Sequence, residues 1–162
     1  MINLDNIKFV LFDFDDTLCI HTNHTNFDGD DLVYNTKVLK EGIKAWDSCK
    51  TNIHMKKFLD ECVYRKIRVG LISTTHSYVH MKEKHNWVLK NYDVNLENFC
   101  VGTYEGKLEI MIAISEAFNI KREEILIVDD FWENITRAAN NGFLSCTPME
   151  VVNYICEGNK LF

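Results

Sequence analysis

The stretch FVLFDFDDTL, residues 9–18, is the most informative part of this chain. Four apolar residues run directly into three carboxylates, Asp13, Asp15 and Asp16. A short, continuous run of bulky apolar residues is typical of a strand that is buried on both faces. Successive side chains of a strand alternate, so Asp13 and Asp15 start on the same side. Two such carboxylates repel each other unless a cation or a shared proton lies between them, and a hard cation such as Mg²⁺ takes oxygen ligands of this kind.

Further apolar strands alternate with amphipathic segments along the rest of the chain. After the first strand, the predicted strands are 67–73, 99–101, 125–128 and 143–146. The predicted helices are 36–49, 52–66, a segment ending near 91, 107–119, a segment ending at 141–142, and a short helix from 148. This alternation predicts an α/β domain with a mostly parallel sheet. In such sheets ligands bind beyond the carboxyl ends of the strands.

The spacing of apolar residues also predicts the inward faces and the ends of these helices. For the helix over 52–66 the predicted inward residues are Ile53, Phe58, Leu59, Cys62 and Val63. For the next helix they are Tyr78, Met81, Val88 and Leu89. Asn141-Gly142 predicts a helix C-terminus. Thr147-Pro148, with Glu150 at the capping-box spacing, predicts the start of the last helix.

Polar residues follow the later strands at the positions where a site would form. Ser73 and Thr74 close one strand, and a hydroxyl there either binds an anion or simply caps the next helix. Lys107 opens a helix, an unfavourable place for a cation in the helix dipole, which favours a functional reason for it. Asp129 and Asp130 end the strand over 125–128, and adjacent anions at a strand end need a compensating charge.

The chain resembles the haloacid dehalogenase-like (HAD) phosphatases in four motifs. They occur in the family's order as FDFDDTL, LISTT, Lys107 and ILIVDD. The resemblance spans positions 9–130, most of the chain. It implies a Rossmann-like three-layer sandwich with a mostly parallel sheet and a small flap or cap insertion after the first strand. It also implies a single core domain over residues 1–162, with that flap at about 19–52.

The resemblance implies a role for each matched residue. Asp13 is the nucleophile that forms an aspartyl-phosphate, and Asp15 is the general acid/base. The implied Mg²⁺ ligands are Asp13, the backbone carbonyl of Asp15, and Asp130, while Asp129 binds the metal directly or through a water. Asn134 supports these ligands. Lys107, together with Ser73 or Thr74, holds the phosphoryl oxygens.

The implied function is Mg²⁺-dependent phosphomonoester hydrolysis. The acid at position 15 disfavours dehalogenation, because the dehalogenase branch lacks it. A phosphoryl-transferring relative such as a mutase stays open, as does an inactive member that binds a phosphorylated ligand. A receiver domain has the same residue types in a different order. The substrate is a nucleotide, a sugar phosphate, a nucleic-acid end or a phosphoprotein.

Bulk properties narrow the class of protein. The chain has 162 residues, a net charge of −6 and six cysteines without a C-x-x-C pair. It shows neither a secretory signal nor a membrane span, so we expect a cytoplasmic protein with reduced thiols. Residues 37–68 carry nine Lys/Arg against four acids, a local charge of +5 that either suits an anionic substrate or simply belongs to a solvated helix face.

Histidines form a second group of polar residues. His21 and His24 lie in the predicted flap, and His76, His80 and Lys84 share a helix face beside His85. Histidines four apart on a helix can bind zinc, but no third ligand has suitable spacing. We therefore interpret these residues as surface or rim positions. One of them could contact the substrate.

Overall fold

The computed structural model describes residues 2–21, 40, 46, 49–75, 77–102 and 104–157. The strands within these ranges are β1 (Phe9–Phe12), β2 (Cys19–His21), β3 (Cys49–Thr51), β4 (Arg68–Thr74), β5 (Glu97–Val101), β6 (Ile125–Val128) and β7 (Leu144–Cys146). The helices are α1 (Ile53–Tyr64), α2 (Tyr78–Tyr92), α3 (Tyr104–Phe118), α4 (Trp132–Asn140) and α5 (Pro148–Cys156). In this described part of the chain, no helix has the length and apolar character needed to cross a membrane.

Five strands form one parallel sheet in the order β5-β4-β1-β6-β7. β1 lies at its centre and pairs with β4 on one side and β6 on the other. The chain moves outward from β1 through β4 to β5 and then returns to the opposite side of β1 with β6. Such a reversal opens a crevice at the carboxyl ends of the strands beside it. The predicted α/β class with a mostly parallel sheet is confirmed.

β1 is buried on both faces, which explains its unbroken apolar sequence. All four of its side chains are fully buried. Val10 and Phe12 join a cluster formed with α1, α2 and α5, whereas Phe9 and Leu11 join one formed with α3 and α4. The sheet is therefore the middle of three layers, as the resemblance implied.

Close packing beside β1 also accounts for the glycine in β4. A Cβ on Gly70 would lie 2.9 Å from a ring carbon of Phe99 and 3.0 Å from a methyl carbon of Leu11. Any side chain at this position would push apart the strands that pair with β4. The glycine thus allows the side chains of Leu11 and Phe99 to pack closely against β4.

A separate antiparallel pair, β2 and β3, follows the first strand of the main sheet. Cys49 was predicted at the end of a helix over 36–49, but it lies in β3 because its backbone pairs with His21 of β2. The remainder of that predicted helix, apart from residues 40 and 46, lies outside the described residues. His24 and His76 do as well.

The predicted helices over 52–66, to about 91, over 107–119 and to 141 are confirmed within a few residues. Two inward assignments in α1 are wrong, because Ile53 and Val63 are 56% and 45% exposed. Met55, Phe58, Leu59 and Cys62 form the buried stripe of α1 instead. In α2, Tyr78 and Leu89 are likewise exposed, because the inward stripe is His80, Lys84, Trp87 and Val88.

The helix ends follow their predicted chemistry. Gly142 has φ +82°, the left-handed conformation that glycine tolerates best, two residues after α4 ends. At α5, the Thr147 side chain accepts from the Glu150 amide, and Glu150 accepts from the Thr147 amide at 2.7 Å. α3 begins at Tyr104, earlier than predicted, so Lys107 completes its first turn rather than opening it.

Candidate active site

Asp13, Lys107 and Asp129 meet at the carboxyl ends of β1 and β6. Asp13 directly follows β1 and Asp129 directly follows β6. The Lys107 ammonium, from α3, lies 2.7 Å from Asp13 Oδ1 and 2.7 Å from Asp129 Oδ2. All three side chains are at least nine-tenths buried. One buried cation therefore joins two carboxylates from neighbouring strands, at the crevice that the strand order creates.

Asp129 is held by further hydrogen bonds. Its Oδ1 accepts from the backbone N–H of Phe131 at 2.9 Å. The side-chain amide of Asn134 donates to both carboxylate oxygens at 3.1 Å. Asn134 was predicted to support the ligands at this strand end, and its described contact is with Asp129. The carboxylate of Asp129 consequently has a fixed orientation.

Negative charge exceeds positive charge at this centre. Burial raises the pKa of Asp13 to about 7, against the attraction of Lys107, and repulsion by the neighbouring Asp129 contributes to this shift. Although burial lowers the pKa of Lys107, Asp13 and Asp129 hold it above its usual value. The ammonium therefore stays charged, while the carboxylates around it still lack a full set of counter-charges.

A tight turn after β1 brings Asp15 to the same edge of the sheet. Asp16 has φ +48°, and the amides of Leu18 and Cys19 both donate to the carbonyl of Phe14, at 3.0 and 2.8 Å. The turn leads into β2, so the chain folds back over the end of the sheet. The acidic run thus continues from a strand into a compact turn instead of remaining extended.

A second buried lysine, Lys84 of α2, holds Asp15. Its ammonium lies 2.6 Å from Asp15 Oδ2, 2.8 Å from Ser73 Oγ and 3.2 Å from the carbonyl oxygen of Thr74. Lys84 is 2% exposed, so its interpretation as a surface or rim residue is wrong. His80, 3% exposed, is also buried, and it stacks on Trp46 with ring centroids 5.9 Å apart.

Sequence patterns contained a signal for Lys84 that the prediction missed. His80, Lys84, Trp87 and Val88 recur at the i, i+4, i+7, i+8 spacing of a buried helical stripe. A lysine within such a stripe needs a partner, because a buried ammonium without one is costly. Its partners, Asp15 and Ser73, lie on other elements of the fold.

His21 of β2 completes the surroundings of Asp15. Its Nε2 lies 3.0 Å from Asp15 Oδ1, and its Nδ1 lies 3.3 Å from Cys49 Sγ. Although burial lowers the pKa of His21, its hydrogen bonds with Asp15 and Cys49 raise it to about 10. Burial alone would raise the pKa of Asp15, but Lys84 and His21 hold it well below its usual value. Asp15 is thus an anion held between two cations.

The two hydroxyls at the end of β4 have different surroundings. Ser73 is 3% exposed, and its Oγ accepts from Lys84. Thr74 Oγ1 is buried and has no hydrogen-bond partner among the described residues. Neighbouring strand residues point to opposite faces. Of the two predicted anion-binding residues, Ser73 is therefore the one connected to Asp15.

Three carboxylates could hold a metal ion. Oxygens of Asp13, Asp129 and Asp130 all lie within 4.8 Å of one another, with Asp130 the exposed member of the set. An all-oxygen donor set fits a hard cation such as Mg²⁺. The excess of negative charge among these carboxylates also favours a bound cation. The predicted ligand Asp130 thus lies beside Asp13 and Asp129.

The three-layer fold is similar to that of solved HAD-family hydrolases. The N-terminal part of a Bacteroides fragilis protein, which contains a phosphatase domain complexed with Mg, matches with a TM-score of 0.59 and 15% identity. That match covers 94% of this chain and 40% of that chain, so this chain spans less than half of its length.

Two further solved structures match over nearly their whole length. A HAD family enzyme from Bacteroides thetaiotaomicron, solved as a magnesium complex, has 22% identity and a TM-score of 0.55, covering 89% of this chain and 94% of that chain. A HAD-superfamily hydrolase from Ehrlichia chaffeensis has 17% identity and a TM-score of 0.55, covering 93% and 97%. No protein-family model matches the sequence, and no curated protein is significantly similar to it. At these identities the likeness establishes the fold.

Proposed function

We propose that the protein is a Mg²⁺-dependent phosphomonoester hydrolase that works through an aspartyl-phosphate. The observation that carries this proposal is the Lys107 ammonium at 2.7 Å from both Asp13 and Asp129. A nucleophilic carboxylate that attacks an anionic phosphate needs such a buried cation, because the two reacting groups otherwise repel each other.

The donor set suits the cofactor that the neighbouring structures contain. Asp13, Asp129 and Asp130 would hold Mg²⁺, together with the backbone carbonyl of Asp15 that the motif resemblance implies. When bound, the ion supplies positive charge that stabilises the transferring phosphoryl group.

In the first step of the proposed reaction, a carboxylate oxygen of Asp13 attacks the phosphorus atom. The bond from phosphorus to the ester oxygen breaks, and the leaving oxygen takes a proton through Asp15, which receives it from the protonated His21 at 3.0 Å. The product alcohol departs, and the phosphoryl group stays on Asp13. In the second step Asp15 takes a proton from water, whose oxygen attacks the same phosphorus. Inorganic phosphate leaves, and the Asp13 carboxylate is regenerated.

The remaining polar groups would bind the phosphoryl oxygens. Lys107 faces the nucleophile directly, and Ser73 lies at the end of the neighbouring strand. Lys84 donates to Ser73 and to Asp15, so an incoming phosphate at Ser73 would meet a second ammonium. Two cations and a hydroxyl suit a phosphate monoester dianion.

The antiparallel β2–β3 pair supports the presence of a small flap beside this site. We propose that residues 19–52 form a minimal flap on a single HAD-like core, with β2 and β3 as its base. A minimal flap leaves a fairly open site. The substrates compatible with it range from a nucleotide or sugar phosphate to a nucleic-acid end or a phosphoprotein.

Metal removal tests the proposal. We expect p-nitrophenyl phosphate turnover with Mg²⁺ to fall by about 10²-fold or more after treatment with EDTA, because the carboxylates then repel the incoming phosphate. Added Mg²⁺ should restore the rate. Ca²⁺, which prefers more ligands at longer distances, should restore much less. Equal rates with and without chelator, or no turnover by a folded, Mg²⁺-loaded protein, would contradict the proposal.

Lys84→Met tests the second cation. We expect kcat/KM for p-nitrophenyl phosphate to fall by about 10²-fold, because Asp15 and Ser73 lose the ammonium that both contact. Lys82→Met, an exposed position two residues earlier in α2, is the matched control and should keep the wild-type rate. Circular dichroism should show both variants folded. A Lys84→Met rate equal to that of the control would exclude a role for Lys84.

A further inference from the structure

A second cluster of metal-ligating groups lies on the β2–β3 pair. Cys19 and His21 are two residues apart in β2, so their side chains share one face of the pair. Cys49 of β3 is directly opposite His21 in the register and points to the same face. The two sulfur atoms and a ring nitrogen of His21 all lie within 4.8 Å of one another.

The spacing of these atoms suits a tetrahedral ion. Cys49 Sγ lies 3.3 Å from His21 Nδ1. With Zn–S and Zn–N bonds of about 2.3 and 2.0 Å, sulfur and nitrogen ligands in a tetrahedron lie roughly 3.5 Å apart. Only small side-chain movements would therefore admit the ion.

The chemistry of the donors separates this cluster from the carboxylate site. Two thiolates and an imidazole are the ligands that zinc takes, whereas Mg²⁺ takes oxygen. Cys19 is fully buried and the other two side chains are half-buried, so water competes weakly for the ion.

His21 is already oriented for such a role. Its Nε2 lies 3.0 Å from Asp15 Oδ1, which leaves Nδ1 facing Cys49. A histidine that binds metal through one nitrogen commonly donates its other N–H to a carboxylate, which fixes the ring. Asp15 occupies that position here.

We propose that Cys19, His21 and Cys49 bind a zinc ion that joins β2 to β3. The fourth position of the tetrahedron is then available to a further ligand. On binding, the two thiols and His21 Nδ1 release their protons to solvent, and no oxidation or reduction takes place. Through His21 the ion is linked to Asp15. The site requires neither phosphatase activity nor Mg²⁺, so its test is independent of the proposed function.

Metal binding to the chelator-treated, reduced full chain tests this site. We expect one equivalent of Zn²⁺ to bind in competition with a chromogenic chelator. Co²⁺ should give the thiolate-to-metal charge-transfer absorption that carboxylate sites lack. Cys19→Ser and Cys49→Ser should lose that absorption and weaken Zn²⁺ binding by roughly 10²-fold or more.

Two variants serve as matched controls. Cys156→Ser removes an exposed thiol at the end of α5, and Asp130→Asn alters only the carboxylate site. Both should keep the charge-transfer absorption. If the absorption is absent from the wild type, or persists in both Cys19→Ser and Cys49→Ser, the proposal is wrong.

A measurement on the unmutated protein covers the case in which the serine variants fail to fold. Zn²⁺ should slow alkylation of the half-buried Cys49, as read by peptide mass, and leave alkylation of Cys156 unchanged. Equal alkylation with and without Zn²⁺ would overturn the zinc site. A Cys19–Cys49 disulfide that persists under the reducing conditions would overturn it as well.

Discussion

Asp13→Asn is expected to lower p-nitrophenyl phosphate turnover by about 10⁴-fold or more, because an amide cannot act as the nucleophile. The variant should remain folded. Asparagine has nearly the same shape as aspartate, and its neutral side chain relieves the repulsion by Asp129 and Asp15 that raises the pKa of Asp13. The loss should therefore appear in kcat and not in stability.

The matched control for this variant is Asp60→Asn, which changes an exposed aspartate of α1. It should keep the wild-type rate at saturating Mg²⁺. Acid-quenched wild-type enzyme should also carry a phosphoryl label from substrate, and Asp13→Asn should carry none. A rate within about tenfold of the wild type would rule out Asp13 as the nucleophile.

Lys107→Met is expected to affect both stability and catalysis. Without metal, the loss of the ammonium leaves the buried Asp13 and Asp129 without the cation they share, and the free energy of unfolding should fall by about 3–5 kcal/mol. Added Mg²⁺ should restore much of this stability, because it supplies charge to the same carboxylates. Turnover should stay roughly 10²–10³-fold below the wild type even then.

Urea unfolding with and without Mg²⁺, alongside initial rates, separates the two effects of Lys107→Met. Lys121→Met is a suitable control, since the Lys121 side chain is 75% exposed. It should change neither quantity. If Lys107→Met has wild-type stability without metal, the ammonium is not the counter-charge of this centre.

Much of the fold is visible in the sequence because β1 and β6 are buried on both faces. Such strands cannot carry polar residues until they leave the sheet, so the change from ILIV to Asp129 marks the carboxyl end directly. Parallel strands then bring these ends together, which places Asp13 near Asp129 without any knowledge of side-chain contacts. Ser73, which still lies within β4, was instead assigned from the motif resemblance.

The contacts that surround Asp15 and His21 were not predictable in this way. Lys84 and Asp15 are 69 positions apart, and His21 and Cys49 are 28 apart. Their contacts depend on how α2 and the β2–β3 pair pack against the end of the sheet, and no local pattern reports that packing. Burial of a lysine within an apolar stripe was the available signal, but it indicates that a partner exists without naming it.

The backbone hydrogen bonds of the main sheet extend one residue past its strands. The Asp13 amide donates to the Val128 carbonyl at 2.9 Å, and the Asp129 amide to the Cys146 carbonyl at 3.2 Å. The backbones of Asp13 and Asp129 therefore cannot shift unless the sheet itself opens, an event that costs much of the global stability. During evolution, surface residues around this edge can change to suit a new substrate while the two carboxylates keep their positions.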